Sequence, residues 1–169
     1  MSTPNQMLAM VRKLIADEQG VGFSKDAGTA DNPQGTQELQ NYLNRAVNEY
    51  SKRQAASKDV RLMKEADVTD GSTLPEDYIS FCGGMPVKVL GRTVKFYIPA
   101  QSISVRYFAR LPYVNSVGDG EELPYEEDQA IAICALAAIY ALNKHEYDIS
   151  RHLLLLGYGA DHASQQSSS

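Results

Sequence analysis

Apolar residues along this chain change their spacing more than once, and each change marks a different kind of element. Near the start, Met7, Met10, Val11, Leu14 and Ile15 recur at helical spacing on one face. Ser2 or Thr3 is placed to cap that helix, with Pro4 near its first turn. Residues 20–35 then turn polar and rich in Gly, Asp, Asn and Ser, with Pro33 among them. A connection of that length is usually functional or disordered. A second helix is predicted from about Thr36, with Leu39, Leu43, Ala46, Val47 and Tyr50 on one stripe and charges opposite. It fades at Ala55-Ala56-Ser57.

From Asp59 to Arg110 no helical period survives, and Val, Tyr, Phe and Ile alternate with Gly and Pro punctuation. Short strands are expected over 60–63, 78–82, 86–90, 94–98 and 104–110. Leu90-Gly91-Arg92-Thr93 suits a hairpin turn, with Val87 and Val89 before it and Val94 and Phe96 after it. A third helix follows Pro124, which fits the first helical position. Glu126, Glu127 and Asp128 fall in its first turn and complement the helix dipole. From Ala130 to Leu142 that helix carries no polar break. A helix apolar on every side must be buried on every side. A short chain meets that demand with difficulty alone, so the pattern implies packing against other subunits. A last helix is expected around Leu153 to Leu156, weakened by Gly157 and Gly159 and followed by a Gln/Ser tail.

The fold class is therefore α+β: a mainly helical bundle of about four helices, with a small β-module inserted between helices two and three. The 169 residues suit one domain, divided as N-terminal helices over 1–57, β insertion over 58–113, C-terminal helices over 123–157 and a flexible tail over 158–169.

Charge narrows the function classes. A net charge of −5 argues against a general binder of nucleic acid or membrane surfaces, which needs a basic field. The apolar run of the third helix is too short for a bilayer, which takes about 20 residues. Met1 to Ile15, interrupted by Arg12 and Lys13, reads as an amphipathic helix rather than a signal peptide. Cys134 lies inside the apolar helix and Cys82 in the β region, so a disulfide is the poorer reading and folding in reducing cytosol the better one.

Candidate chemistry is sparse. His145, His152 and His162 gather near the C-terminus, and Asp148 and His152 stand one helical turn apart. Zinc sites want three or four closely spaced N, S or O ligands, which nothing here supplies. Solvent-facing polar residues explain the group better. A Cys134/His145 nucleophile pair fails because an apolar helix interior raises a thiol pKa and hides the sulfur. Gly20-Val21-Gly22 and Gly157-Tyr158-Gly159 lack the strand–loop–helix setting of a phosphate loop. Lys52, Arg53, Lys58, Arg61 and Lys64 form a basic cluster whose simplest reading is a solvated face. Tyr78, Tyr97, Tyr107 and Tyr113 around the β region suit cross-strand packing and protein interfaces equally well. No catalytic residue, metal ligand or cofactor-binding residue is assigned, and no cofactor is expected. A small hydrolase or metal-dependent enzyme using the C-terminal histidines stays open as the alternative.

One ordered set of motifs resembles a known family. The helix pair is followed by Leu74-Pro75-Glu76-Asp77-Tyr78-Ile79 and a small β-module. Next come Val105-Arg106-Tyr107-Phe108-Ala109-Arg110-Leu111-Pro112, then Leu123-Pro124-Tyr125-Glu126-Glu127 opening an Ala-rich helix, and a last helix with a polar tail. From about Thr36 onward this resembles the head-to-tail connector (adaptor) proteins of tailed bacteriophages. The resemblance implies a non-enzymatic virion protein of the neck, assembled in the host bacterial cytoplasm. It further implies a ring, typically of twelve copies, that docks beneath the portal protein, extends the DNA channel and offers a platform to tail or neck proteins. A different neck or tail-completion component is the variant reading within that class. The C-terminal stretch Gly157, Tyr158, Gly159, Ala160, Asp161 and His162 would dock on the portal. Ile131, Cys134, Ala138 and Tyr107 would pack between subunits. Genomic DNA would pass without specific binding, since an acidic lumen repels phosphates.

Overall fold

The structure, a computed structural model, describes residues 2–15 and 33–143. Three helices, two small sheets and two short 3-10 turns make up this part of the chain. Helix α1 spans Pro4–Leu14 and opens on a capping box: the Gln6 N–H donates to Thr3 Oγ1 at 3.2 Å, and the Thr3 N–H to Gln6 Oε1 at 2.9 Å. Its inner face buries Met7, Leu8 and Val11. Helix α2 spans Pro33–Ala56 and buries Leu39, Leu43, Ala46, Val47 and Tyr50, the stripe that the spacing predicts. Helix α3 spans Glu127–Leu142 and turns Ala130, Ile133, Cys134, Ala137, Ala138 and Ala141 inward. The alanines among them let the α3 backbone lie close against its neighbours, and the three helices share one core with Val114, Leu123 and Tyr125.

Between α2 and α3 stands the β-module. Strands β1 (Met63–Val68), β5 (Ile103–Ala109) and β2 (Tyr78–Phe81) form an antiparallel sheet in the order β1-β5-β2. Strands β3 (Val87–Leu90) and β4 (Thr93–Phe96) form the expected hairpin, with Val87 opposite Phe96 and Leu90 opposite Thr93. Gly91, at φ 65°, takes the first central position of the two-residue turn, where left-handed backbone is required. The module has its own small core of Val68, Leu74, Val87, Val94 and Val105. Ala55, Leu62 and Phe108 form a third cluster where α2 meets the sheet.

Several boundaries differ from the sequence expectation: α2 opens at Pro33, inside the stretch read as a connection, β4 closes at Phe96, and two further shifts have a visible cause. Residues 60–62 are a 3-10 turn, and the first strand begins only at Met63. The Asp59 side chain accepts from the Arg61 N–H at 3.0 Å, and this local cap overrides the strand preference of the exposed Val60. Pro124 does not open α3, because the chain is still held extended there. The Leu123 N–H donates to Ser2 O at 3.0 Å, and the buried Tyr125 anchors through its hydroxyl to Pro112 O. Glu126 therefore becomes the N-cap, its N–H donating to Gln129 Oε1 at 2.9 Å. The expected fourth helix and the C-terminal tail lie outside the described residues.

Candidate interaction surfaces

Among the described residues, helix α3 is not covered on every side. Helices α1 and α2 and the loop before α3 bury its inner faces, while Ile131, Ala135, Ile139 and Leu142 look outward. These positions follow one another at four, four and three residues, which draws a single apolar stripe down the helix. Ile131 is 49% exposed, Ile139 51% and Leu142 58%. On α1, Met10 and Leu14 are also exposed. On a surface with so many acids and bases, a continuous apolar row is the feature that packing among the described residues leaves unexplained.

The residues expected to pack between subunits separate accordingly. Ile131 sits on the exposed stripe. Cys134 and Ala138 lie in the core of their own chain, and burial pushes the Cys134 thiol up to about 12. Tyr107 is buried in the sheet, where its hydroxyl donates to Asp77 Oδ1 at 3.1 Å. Burial first, then that carboxylate, raise Tyr107 to about 12. None of these three reaches the surface, because the helical and sheet cores claim them. The portal-docking set Gly157, Tyr158, Gly159, Ala160, Asp161 and His162 lies outside the described residues, as do His145, His152 and Asp148.

The basic cluster of the sequence is dispersed. Arg53 pairs with Glu49 at 2.8 Å along one turn of α2, and Lys64 with Asp77 at 2.6 Å. Arg61 reaches three carboxylates at once: Asp59 at 2.7 Å, Glu126 at 2.7 Å and Asp128 at 2.9 Å. It ties the start of the β-module to the first turn of α3. Its hydrogen bonds hold the Asp59 and Asp128 carboxyls below their ordinary range and raise the guanidinium itself, with Asp59 the largest cause.

A cleft of about 860 Å³ lies between α2 and the β-module. Asn48 and Lys52 line it from α2, and Thr73, Glu76 and Tyr78 from the loop leading into β2 and the start of that strand. Arg92 from the hairpin turn, with Arg110 and Tyr113 beyond β5, completes the wall. Arg92 is held by Pro75 O at 2.9 Å and Leu74 O at 3.3 Å. The Arg110 guanidinium lies 3.7 Å from the centroid of the Tyr113 ring. Among the described residues, no carboxylate forms an ion pair with Lys52, Arg92 or Arg110. Sequence reading missed this cleft because its cations come from three separate parts of the chain.

Among the described residues, no three His, Cys, Asp or Glu side chains converge to hold a metal ion, and no helix is long and apolar enough to cross a membrane. Comparison with protein-family models, characterised proteins and solved structures finds no match for this chain.

Proposed function

We propose that this protein is a virion structural component that assembles into a ring at the head–tail neck of a tailed bacteriophage. It docks beneath the portal, continues the DNA channel and presents a platform for tail or neck proteins. The observation that carries the reading is the outward apolar stripe of α3. Covering the remaining surface of Ile131, Ile139 and Leu142 stabilises by roughly 1 kcal/mol each, half the value of a fully buried aliphatic side chain. A neighbouring copy repeats that gain around a closed ring, where every subunit gives and receives the same contact. The order of motifs from the helix pair through the β-module to the Ala-rich helix supports the phage neck as the setting. The acidic balance of the chain suits a channel through which DNA slides.

The test is a mass. Sedimentation or native mass spectrometry of the purified chain should give a particle many times 18.6 kDa, with twelve copies expected, and negative-stain images should show rings. A chain that stays monomeric alone and with portal-bearing heads overturns the proposal.

A further inference from the structure

We propose that the cleft between α2 and the β-module receives the acidic turn at 118–122 of a second copy of this chain. The inference deepens the ring reading above and rests on it for its setting, while its own contact is tested separately.

Two surfaces motivate it. The cleft gathers Lys52, Arg92 and Arg110 against one acid, Glu76, in a chain whose net charge is −5. The turn carries Asp119, Glu121 and Glu122, all exposed, within a stretch from Pro112 to Leu142 that holds no Lys or Arg. Neither set forms ion pairs with other described residues. The turn also has the shape of an insert. The Glu121 N–H closes it on Gly118 O at 2.9 Å, and the Gly118 N–H donates to Glu121 Oε2 at 3.2 Å. Gly118 and Gly120 keep it slender. The Asn5 N–H donates to Asp119 O, within the turn, at 3.2 Å, which fixes the turn to the start of α1. No residue of the turn lines the cleft of its own chain.

Two different patches that complement each other make a head-to-tail contact, and such contacts close into rings when the rotation allows. The carboxylates would meet a planar guanidinium at Arg110, already oriented by stacking on Tyr113, and a mobile ammonium at Lys52.

Charge exchange tests the contact. One variant carries Lys52→Glu with Arg110→Glu; the other carries Asp119→Lys with Glu122→Lys. Arg92 and Glu121 are spared because they hold their own loops together. Each variant should fold, as judged by circular dichroism, and each alone should fail to assemble. Mixed in equal amounts they should regain the wild-type particle mass, because each cleft then meets a turn of opposite sign in alternation around the ring. Variants that assemble alone as the wild type does, or a folded mixture that stays dispersed, overturn the proposal. A peptide with the sequence of residues 116–123 gives a reading independent of ring formation. It should bind the turn-reversed variant, whose cleft is intact and vacant, at least tenfold more tightly than the cleft-reversed one. Equal binding to both overturns the contact even if the wild type forms rings, and a monomeric wild type with selective peptide binding overturns only the ring. A short DNA duplex is the control ligand. Duplex binding lost with the cleft reversal while assembly persists assigns the cleft to phosphates and also overturns the proposal.

Discussion

The same substitution two residues apart on α3 should give opposite results. Ala135 lies on the exposed stripe between Ile131 and Ile139, whereas Ala137 is fully buried against the other helices. Replacing either by Lys changes helix propensity by the same few tenths of a kcal/mol, so the local cost cancels in the comparison. At Ala137 the long side chain must force aside a packed core, at about 1–3 kcal/mol, and carry a charge into it, at several more. A total of roughly 5 kcal/mol or more removes between a third and all of the ~5–15 kcal/mol that holds a domain together. Ala137→Lys should therefore lose its cooperative urea transition or show a midpoint far below wild type. At Ala135 the ammonium stays in water, so Ala135→Lys should unfold within about 0.5 kcal/mol of wild type, measured on dispersed subunits. It should nevertheless fail to assemble, since every copy now brings a charge to the apolar contact. Circular dichroism through a urea series gives the first quantity, and sedimentation at several concentrations the second. A stable Ala137→Lys would refute the placement of the core. An Ala135→Lys protein that forms the wild-type particle would refute the stripe as a subunit contact.

Tyr125→Phe should cost about 1 kcal/mol in the same urea series, since it strips the Pro112 carbonyl of its donor while leaving the ring packed; an unchanged midpoint would count against that bond. Asp59 and Asp128 have folded pKa values below the ordinary 3.8, so their contribution to stability is full above about pH 4 and fades as pH falls through the folded values. Arg61→Gln should flatten this acid loss, and equal slopes of melting temperature against pH in both proteins would contradict the role given to Arg61. A thiol reagent at pH 8 should modify the half-buried Cys82 and spare Cys134 until urea is added, and two reactive thiols in the native chain would show that the α3 core is open.

Much of this fold could be read from spacing, and the exceptions have physical causes. The stripes of α1 and α2 and the hairpin at Gly91 follow directly from periodicity and turn chemistry. Strand β1 could not, because Met-Lys-Glu-Ala-Asp-Val at the sheet edge carries no apolar alternation; its pairing with β5 makes it a strand. Helix α3 shows the opposite difficulty. Its apolar residues surround the axis, so the sequence marks a buried helix without saying which side its own chain covers. Packing against α1 and α2 takes Ala130, Ile133, Cys134, Ala137, Ala138 and Ala141 inside and leaves Ile131, Ala135, Ile139 and Leu142 out. The candidate surfaces were legible only in part. Ile131 belonged to the expected contact set, but the run from Lys52 to Lys64 suggested a basic face that the fold divides among Glu49, Asp77 and the partners of Arg61. Only Lys52 turns to the cleft, where it meets Arg92 and Arg110 from far along the chain.

The pairing of β1 with β5 governs what the helices feel of the module between them. Met63 lies opposite Phe108, so the chain leaves α2 and returns toward α3 along two neighbouring strands, about 4.8 Å apart. From the side of the bundle, more than forty residues are spliced in through an opening one strand wide. Lengthening, shortening or reshaping the loop over 97–102, which joins β5 at the Val68–Ile103 end of the sheet, alters the far end of the module and leaves that opening unchanged. The helices can keep one geometry while the module's outer end diverges to meet different neighbours.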